Sequence, residues 1–261
     1  MQIDLVYHPD RTLKGKIRRR LVRLAHRRPA VVALPRPLIS FSFDDAPASA
    51  ATTGAQLLEA HGHRGAYYIS AALAGHDGPM GRYANAEQIA RLADAGHEIA
   101  CHTYSHLDCG QANGAQADED AALNDEVLRA WGAPTATSFA YPYGDVSAPA
   151  KQALAHRFTT LRALHHGLIE TGSDLNQAPA IGIEGPDGEG AALRWMMRAA
   201  AKKAWLIVYT HDVTDQPSEW GCTPAALERL ITAADRLGFD VATVADAAAR
   251  IGAPQAARAA A

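Results

Sequence analysis

From residue 38 onward, short apolar runs alternate with longer stretches in which apolar residues recur at helical spacing. The runs Leu38–Phe43, Gly65–Ser70, His97–Cys101, Thr137–Tyr141, Phe158–Arg162, Ile181–Ile183 and Trp205–Thr210 predict β-strands, and Phe239–Thr243 is a weaker eighth. Helical stretches fall between most of them, several with end signals. Asn85, with Gln88 three residues on, caps a helix that Gly96 stops. Thr223 followed by Pro224 opens another, which Gly238 ends. Repeated strand–helix units argue for a parallel sheet. Seven or eight of them in roughly 200 residues favour closure into an α/β barrel over an open sheet.

The first 37 residues follow a different pattern. Leu13, Ile17, Leu21 and Leu24 recur at helical spacing with Arg and Lys between them, which predicts an amphipathic basic helix. Residues 11–28 hold nine of the 25 Lys and Arg and no acid, whereas residues 29–261 carry 16 basic and 26 acidic residues. The pattern divides the chain into a basic segment (1–37), one domain (38–247) and an Ala-rich tail (248–261). The helix has two readings. It is an outer barrel helix whose apolar stripe packs on the core while its cations meet the acidic body, or it docks through residues 11–28 on an anionic inner-membrane surface or a membrane-bound biosynthetic partner. Nucleic-acid binding is disfavoured, because the body is acidic and no reader fold accompanies the arm.

At 261 residues, with 48% apolar and 20% charged, the chain can bury a full core. No apolar run approaches the roughly 20 residues that span a bilayer. The N-terminus does not resemble a secretory signal, since its charges are interleaved with Leu and Val. Three cysteines, an odd number, give no disulfide framework. A reducing cytoplasm is the expected setting.

Reactive residues cluster where the strands end. Asp44 and Asp45 close the first run, His102 follows the third, Tyr141-Pro142-Tyr143-Gly144 the fourth, and His211 the seventh. These are the carboxyl ends, where parallel barrels assemble their sites. Two adjacent carboxylates can do different work only if the chain turns between them. His102 and His106 stand four apart, the separation that stacks two imidazoles on one helical face. One carboxylate and two imidazoles form a three-ligand set that leaves a metal position open, as catalytic zinc sites do. A closed site of Cys101, His102, His106 and Cys109 is the rival. Against it, Cys101 and His102 are consecutive at a strand end and should face opposite ways.

Together these segments resemble the polysaccharide deacetylase family, the NodB-homology carbohydrate esterases. The resemblance rests on Ser42-Phe43-Asp44-Asp45, His102-Thr103-Tyr104-Ser105-His106, Pro142-Tyr143-Gly144 and Tyr209-Thr210-His211, in the family's order, over about residues 38–245. It implies a distorted (β/α)7–8 barrel that removes acetyl groups from N-acetylated poly- or oligosaccharides with a divalent metal. Zinc is favoured, with cobalt, manganese or nickel as alternatives. By the same resemblance Asp45, His102 and His106 would bind the metal, Asp44 would be the base and His211 the acid. The backbone N–H of Tyr143 would serve the oxyanion.

Three departures stand out. Ala46 replaces a common Gly. Ala140 replaces an arginine that pairs with the base, so another group must orient Asp44. No counterpart of the motif that tunes the catalytic histidine is visible. The Phe-Ala-Tyr-Pro-Tyr-Gly form resembles an exopolysaccharide-modifying branch, with a holdfast-type polymer as the narrower expectation. The expected function is N-deacetylation of a bacterial exopolysaccharide or its lipid-linked intermediate. The rivals are a hydrolase of small acetylated amides or esters and a degenerate carbohydrate-binding barrel.

Overall fold

Each of the eight predicted runs contains a strand in the computed structural model, which describes residues 12–251. In chain order the strands are β1 (Leu38–Asp44), β2 (Ala66–Ile69), β3 (Asp77–Gly78), β4 (Gly81–Arg82) and β5 (Glu98–Cys101), then β6 (Ser138–Ala140), β7 (Thr160–Arg162), β8 (Ile181–Gly182), β9 (Trp205–Thr210) and β10 (Asp240–Val241). The helices are α1 (Leu13–Val22), α2 (Ala55–Ala60), α3 (Ala86–Asp94), α4 (Gly114–Ala130), α5 (Ala148–Arg157), α6 (Gly188–Lys202), α7 (Pro224–Arg236) and α8 (Val244–Ile251). Strands β3 and β4 form a small separate hairpin that the apolar pattern does not predict. Residues 1–11 and 252–261, including most of the expected tail, lie outside the described residues.

The main sheet is parallel throughout, in the order β7-β6-β5-β2-β1-β9-β8, with β10 pairing the first residues of β1. It curls into the expected distorted barrel without a ladder between β7 and β8. That seam is bridged instead by the segment before β8, where Ala178 N–H donates to Leu161 (2.7 Å) and Ala163 N–H to Ala178 (2.8 Å).

Strand alternation divides the core into two layers. Ile39, Phe41, Phe43, Leu206 and Val208 face outward, against helix residues such as Leu58, Met196 and Leu230. Leu38, Tyr68, Ala140, Trp205, Ile207 and Tyr209 face inward and fill the barrel. Asp44 shares the parity of Leu38, so the pattern that buries β1 carries a carboxylate into the barrel interior at its carboxyl end. The end signals work as expected. Asn85 and Gln88 form a capping box on α3, Thr223 caps α7, and Gly96 and Gly238 follow with positive φ.

One expectation about α1 needs correction. Its cations do meet the acidic body, since Arg18 pairs with Asp145 at 2.7 Å. Its apolar stripe, however, does not pack on the core. Leu13, Ile17, Leu21 and Leu24 are all exposed, and the helix docks through Gly15, Arg18 and Val22 on its other side. Buried Lys151 secures that docking by donating to the Val22 carbonyl (3.0 Å) and to Asp174 (2.7 Å). Among the described residues no helix is long and apolar enough to cross a membrane.

Asn124 of α4 ties the ends of β2 and β5 together. Its side chain accepts from Ala71 N–H (2.9 Å) and donates to the Ile69 carbonyl (2.8 Å) and to Cys101 Sγ (3.3 Å). Asn124→Leu keeps the branched outline but orphans the buried Ala71 amide. Urea unfolding should show a loss of about 2 kcal/mol.

Candidate metal centre and active site

Strand β1 ends on Asp44, and the chain then turns sharply, with Asp45 (φ 57°) and Ala46 (φ 45°) both left-handed. Few non-glycine residues adopt that conformation without cost. The turn is what lets neighbouring carboxylates reach different places. Both are buried.

Asp45 Oδ1 lies 3.3 Å from His106 Nε2 and 3.6 Å from His102 Nε2. Among the described residues this trio forms a group able to hold a metal ion, its ligand atoms within 4.8 Å of one another. The two histidines do not share a helical face, contrary to the reading of their spacing. Residues 102–107 form an irregular loop in which Thr103 and His106 have positive φ. Side chains impose that path. Asp120 of α4 accepts from the amides of Tyr104 (2.6 Å) and Ser105 (2.9 Å), while Thr103 Oγ1 accepts from Leu107 N–H (2.8 Å). Cys101 takes no part, being buried against Asn124, and Cys109 is buried and free. The closed cysteine-containing site is not formed.

The residues present fit a divalent cation. His102 Nδ1 donates to the Ala140 carbonyl (2.7 Å), which leaves Nε2 as a lone-pair donor aimed at Asp45. Burial pushes the pKa of both imidazoles down to about 4, so both are neutral ligands near pH 7. Asp45 Oδ1 is buried with no hydrogen-bond partner. Two neutral imidazoles and a carboxylate oxygen without a donor, all facing one point, suit a cation.

Asp44 has a different partner. Both of its carboxylate oxygens accept from Arg162 Nη2 at 2.5 Å. Burial alone would raise the Asp44 pKa, but Arg162, with His102 and His211, holds it below the ordinary carboxylate value. Arg162 comes from β7, and its register partner on β6 is Ala140, the position at which the expected arginine is missing. The guanidinium therefore enters from one strand further round. It lies between the rings of Tyr68 (5.0 Å) and Tyr209 (5.1 Å), which supply cation–π contact where hydrogen-bond acceptors are absent.

His211 follows β9 at the same mouth, and its charge acts on Asp44, Asp45 and His106. Its Nδ1 donates to the Trp220 carbonyl (3.1 Å) and lies 3.9 Å from Glu184 Oε2. Glu184 follows β8, accepts from the Tyr209 hydroxyl (3.1 Å), and has its pKa raised by burial. The sequence offered no sign of a group beside His211, since Glu184 lies outside any motif. Tyr143 sits in a left-handed turn between Pro142 and Gly144, its ring edge-on to His106 at 4.6 Å.

Comparisons with known proteins bear on the fold. The model of the polysaccharide deacetylase family matches residues 32–159. A putative polysaccharide deacetylase from Mycobacterium smegmatis is 16% identical and superposes with a TM-score of 0.64, covering 87% of this chain and 95% of that one. A family 4 carbohydrate esterase from Streptomyces lividans in complex with acetate is 19% identical at 0.55, over 81% and 93%. A family 4 acetyl xylan esterase from Clostridium thermocellum, in complex with a cobalt ion, is 18% identical at 0.56, over 80% and 89%. No curated protein sequence matches. Over residues 32–159 the chain is similar to the polysaccharide deacetylase family, and its fold is that of the carbohydrate esterases and deacetylases.

Two outcomes are expected. In a cobalt titration followed by visible absorption, Asp45→Asn and His102→Ala should weaken binding at least about 100-fold, whereas Asp44→Asn stays within a few-fold. The imidazoles should stay available well below pH 6.5 and protonate only as the pH drops through about 4. Asp45, raised by burial, must give up its proton to the ion, so uptake should also weaken as that carboxyl protonates. Separately, Arg162→Met leaves the Asp44 carboxylate buried and unpaired. Chemical denaturation should register a loss of about 3 kcal/mol or more.

Proposed function

We propose that this chain hydrolyses N-acetyl groups from amino-sugar residues of a bacterial exopolysaccharide, or of its lipid-linked intermediate, using a divalent metal. Zinc is the favoured ion. The observation that carries the reading is the division of labour between two adjacent carboxylates. Asp45 faces two neutral imidazoles, while Asp44 is kept ionised by Arg162.

Held by Asp45, His102 and His106, such a cation would polarise the acetyl carbonyl and lower the pKa of water. Asp44 accepts the proton of the attacking water, and Arg162 keeps its carboxylate charged and oriented for that task. The Tyr143 backbone N–H is assigned to the developing oxyanion, at the mouth beside His106. His211 donates a proton to the departing sugar amine, whose anion is too basic to leave unaided. Glu184 and the Trp220 carbonyl hold the imidazole in place for that transfer. Three free, buried cysteines suit the cytoplasmic setting that we infer.

Acetate release from defined N-acetylated oligosaccharides tests the assignment. Asp44→Asn should abolish release while cobalt binding remains. His211→Ala should lower kcat on the amide roughly 10²–10⁴-fold but act far less on an aryl acetate, whose leaving group needs no proton. Release only from small acetylated substrates would replace the polymer with a small molecule. No release from any substrate, with metal bound, would leave a carbohydrate-binding protein.

A further inference from the structure

Helix α1 is docked by one side and open on the other. Gly15, Arg18 and Val22 lie on the docked side, with the Arg18 guanidinium on Asp145 and on the Gly110 carbonyl. Leu13, Ile17, Leu21 and Leu24 fall opposite, at 74, 49, 59 and 73% exposure, and form one apolar row. Helical turns continue past Val22, since the Leu24 and Ala25 amides donate to Leu21 and Val22, so Leu24 extends the row. Arg20 and Arg23 are exposed along one edge of it.

Where the row ends, a cavity of about 270 Å³ opens between this segment and the loop after β7. Its lining includes Arg23, Arg27, His165, His166, Ser173 and Asp174. The one carboxylate is already engaged, by Lys151 Nζ (2.7 Å) and by the amides of Arg28 (2.8 Å) and Asn176 (3.0 Å). Arg27 gives one N–H to the Gly172 carbonyl (2.6 Å). Among the described residues the Arg23 guanidinium has no hydrogen bond or ion pair, and His165 Nδ1 is buried without a partner. The Arg23 guanidinium and the remaining Arg27 N–H groups are therefore cationic donors that the protein does not itself consume, beside a neutral buried imidazole.

An apolar row beside a cationic pocket matches an anionic phospholipid surface, which offers acyl chains and phosphodiesters side by side. The rest of the chain is acidic, so this face is the one such a surface would attract. We propose that α1 and the adjoining cavity dock the protein on an anionic bilayer. The row enters the acyl boundary, and a phosphodiester headgroup sits against Arg23, Arg27 and His166.

The test is co-sedimentation of the full chain with phosphatidylcholine vesicles, alone or mixed with phosphatidylglycerol. The mixed vesicles should bind at least about ten-fold more tightly, and added salt should weaken them. Ile17→Glu combined with Leu21→Glu should abolish binding, and Arg23→Glu should weaken it about ten-fold. All three side chains are exposed, so circular dichroism should be unchanged. Equal binding to both vesicle types, or full binding by either variant, would overturn the proposal. So would a dimer in solution that the double variant dissociates, because the row would then be a self-contact. Binding of inorganic phosphate without vesicle binding would assign the cavity to a soluble anion and remove the membrane. None of these readouts involves acetate release, so failure here leaves the deacetylase reading standing.

Discussion

Two adjacent carboxylates buried at the end of one strand repel each other, and both remain charged only if each has its own cation. The mouth of this barrel is organised around that requirement. Asp44 points into the barrel and meets a guanidinium, while Asp45 is turned by a left-handed backbone towards two imidazoles. Separate partners give the two groups separate chemistry. Asp44 is held below its ordinary pKa, whereas burial raises Asp45, a tendency that a bound cation would reverse. A single shared partner could not produce that split. The pair Asp44–Arg162 is accordingly the interaction on which the rest of the arrangement leans.

Burying a guanidinium inside a barrel is costly unless its surroundings replace water. The inward layer does so with aromatic faces, Tyr68 on one side and Tyr209 on the other. Both tyrosines are inward by strand parity, in line with Asp44. Tyr209 also donates its hydroxyl to Glu184, which stands 3.9 Å from His211. Asp44 and His211, the proposed base and acid, are thus linked through one packed ring rather than through a direct contact. Arg162 touches Asp44 and that ring.

Much of this was legible in the amino-acid pattern, for identifiable reasons. The strands announced themselves because parallel strands are buried on both faces and read as apolar runs. Asp44, Asp45, His102, His106 and His211 stood out because each follows such a run. Arg162 did not, although its strand was predicted. Its meeting with Asp44 depends on β7 lying beside β6 in a register that places it next to Ala140, and register between distant strands leaves no local trace. The spacing of His102 and His106 picked out two residues that do meet beside Asp45, though not on the helical face it predicted. A loop bent by Asp120 and Thr103 brings them together as effectively as a helical turn. The stripe on α1 was visible too, but helical spacing identifies an apolar face without saying which way it will point.

Helix α4 carries none of the candidate ligands, yet it sets the geometry of two. Asp120 and Asn124 stand four apart on the helix and therefore project from one face. The first gathers the amides of Tyr104 and Ser105, and the second bridges the ends of β2 and β5. His102 lies between these two anchor points, and His106 just beyond them. Left-handed φ values at Thr103 and His106 mean that the loop would relax elsewhere without such restraint. The short side chains of α4, Asn124 buried and Asp120 half-buried, supply that restraint. The spacing of the candidate ligands is consequently a property of helix-to-loop hydrogen bonding as much as of the strands that lead to them.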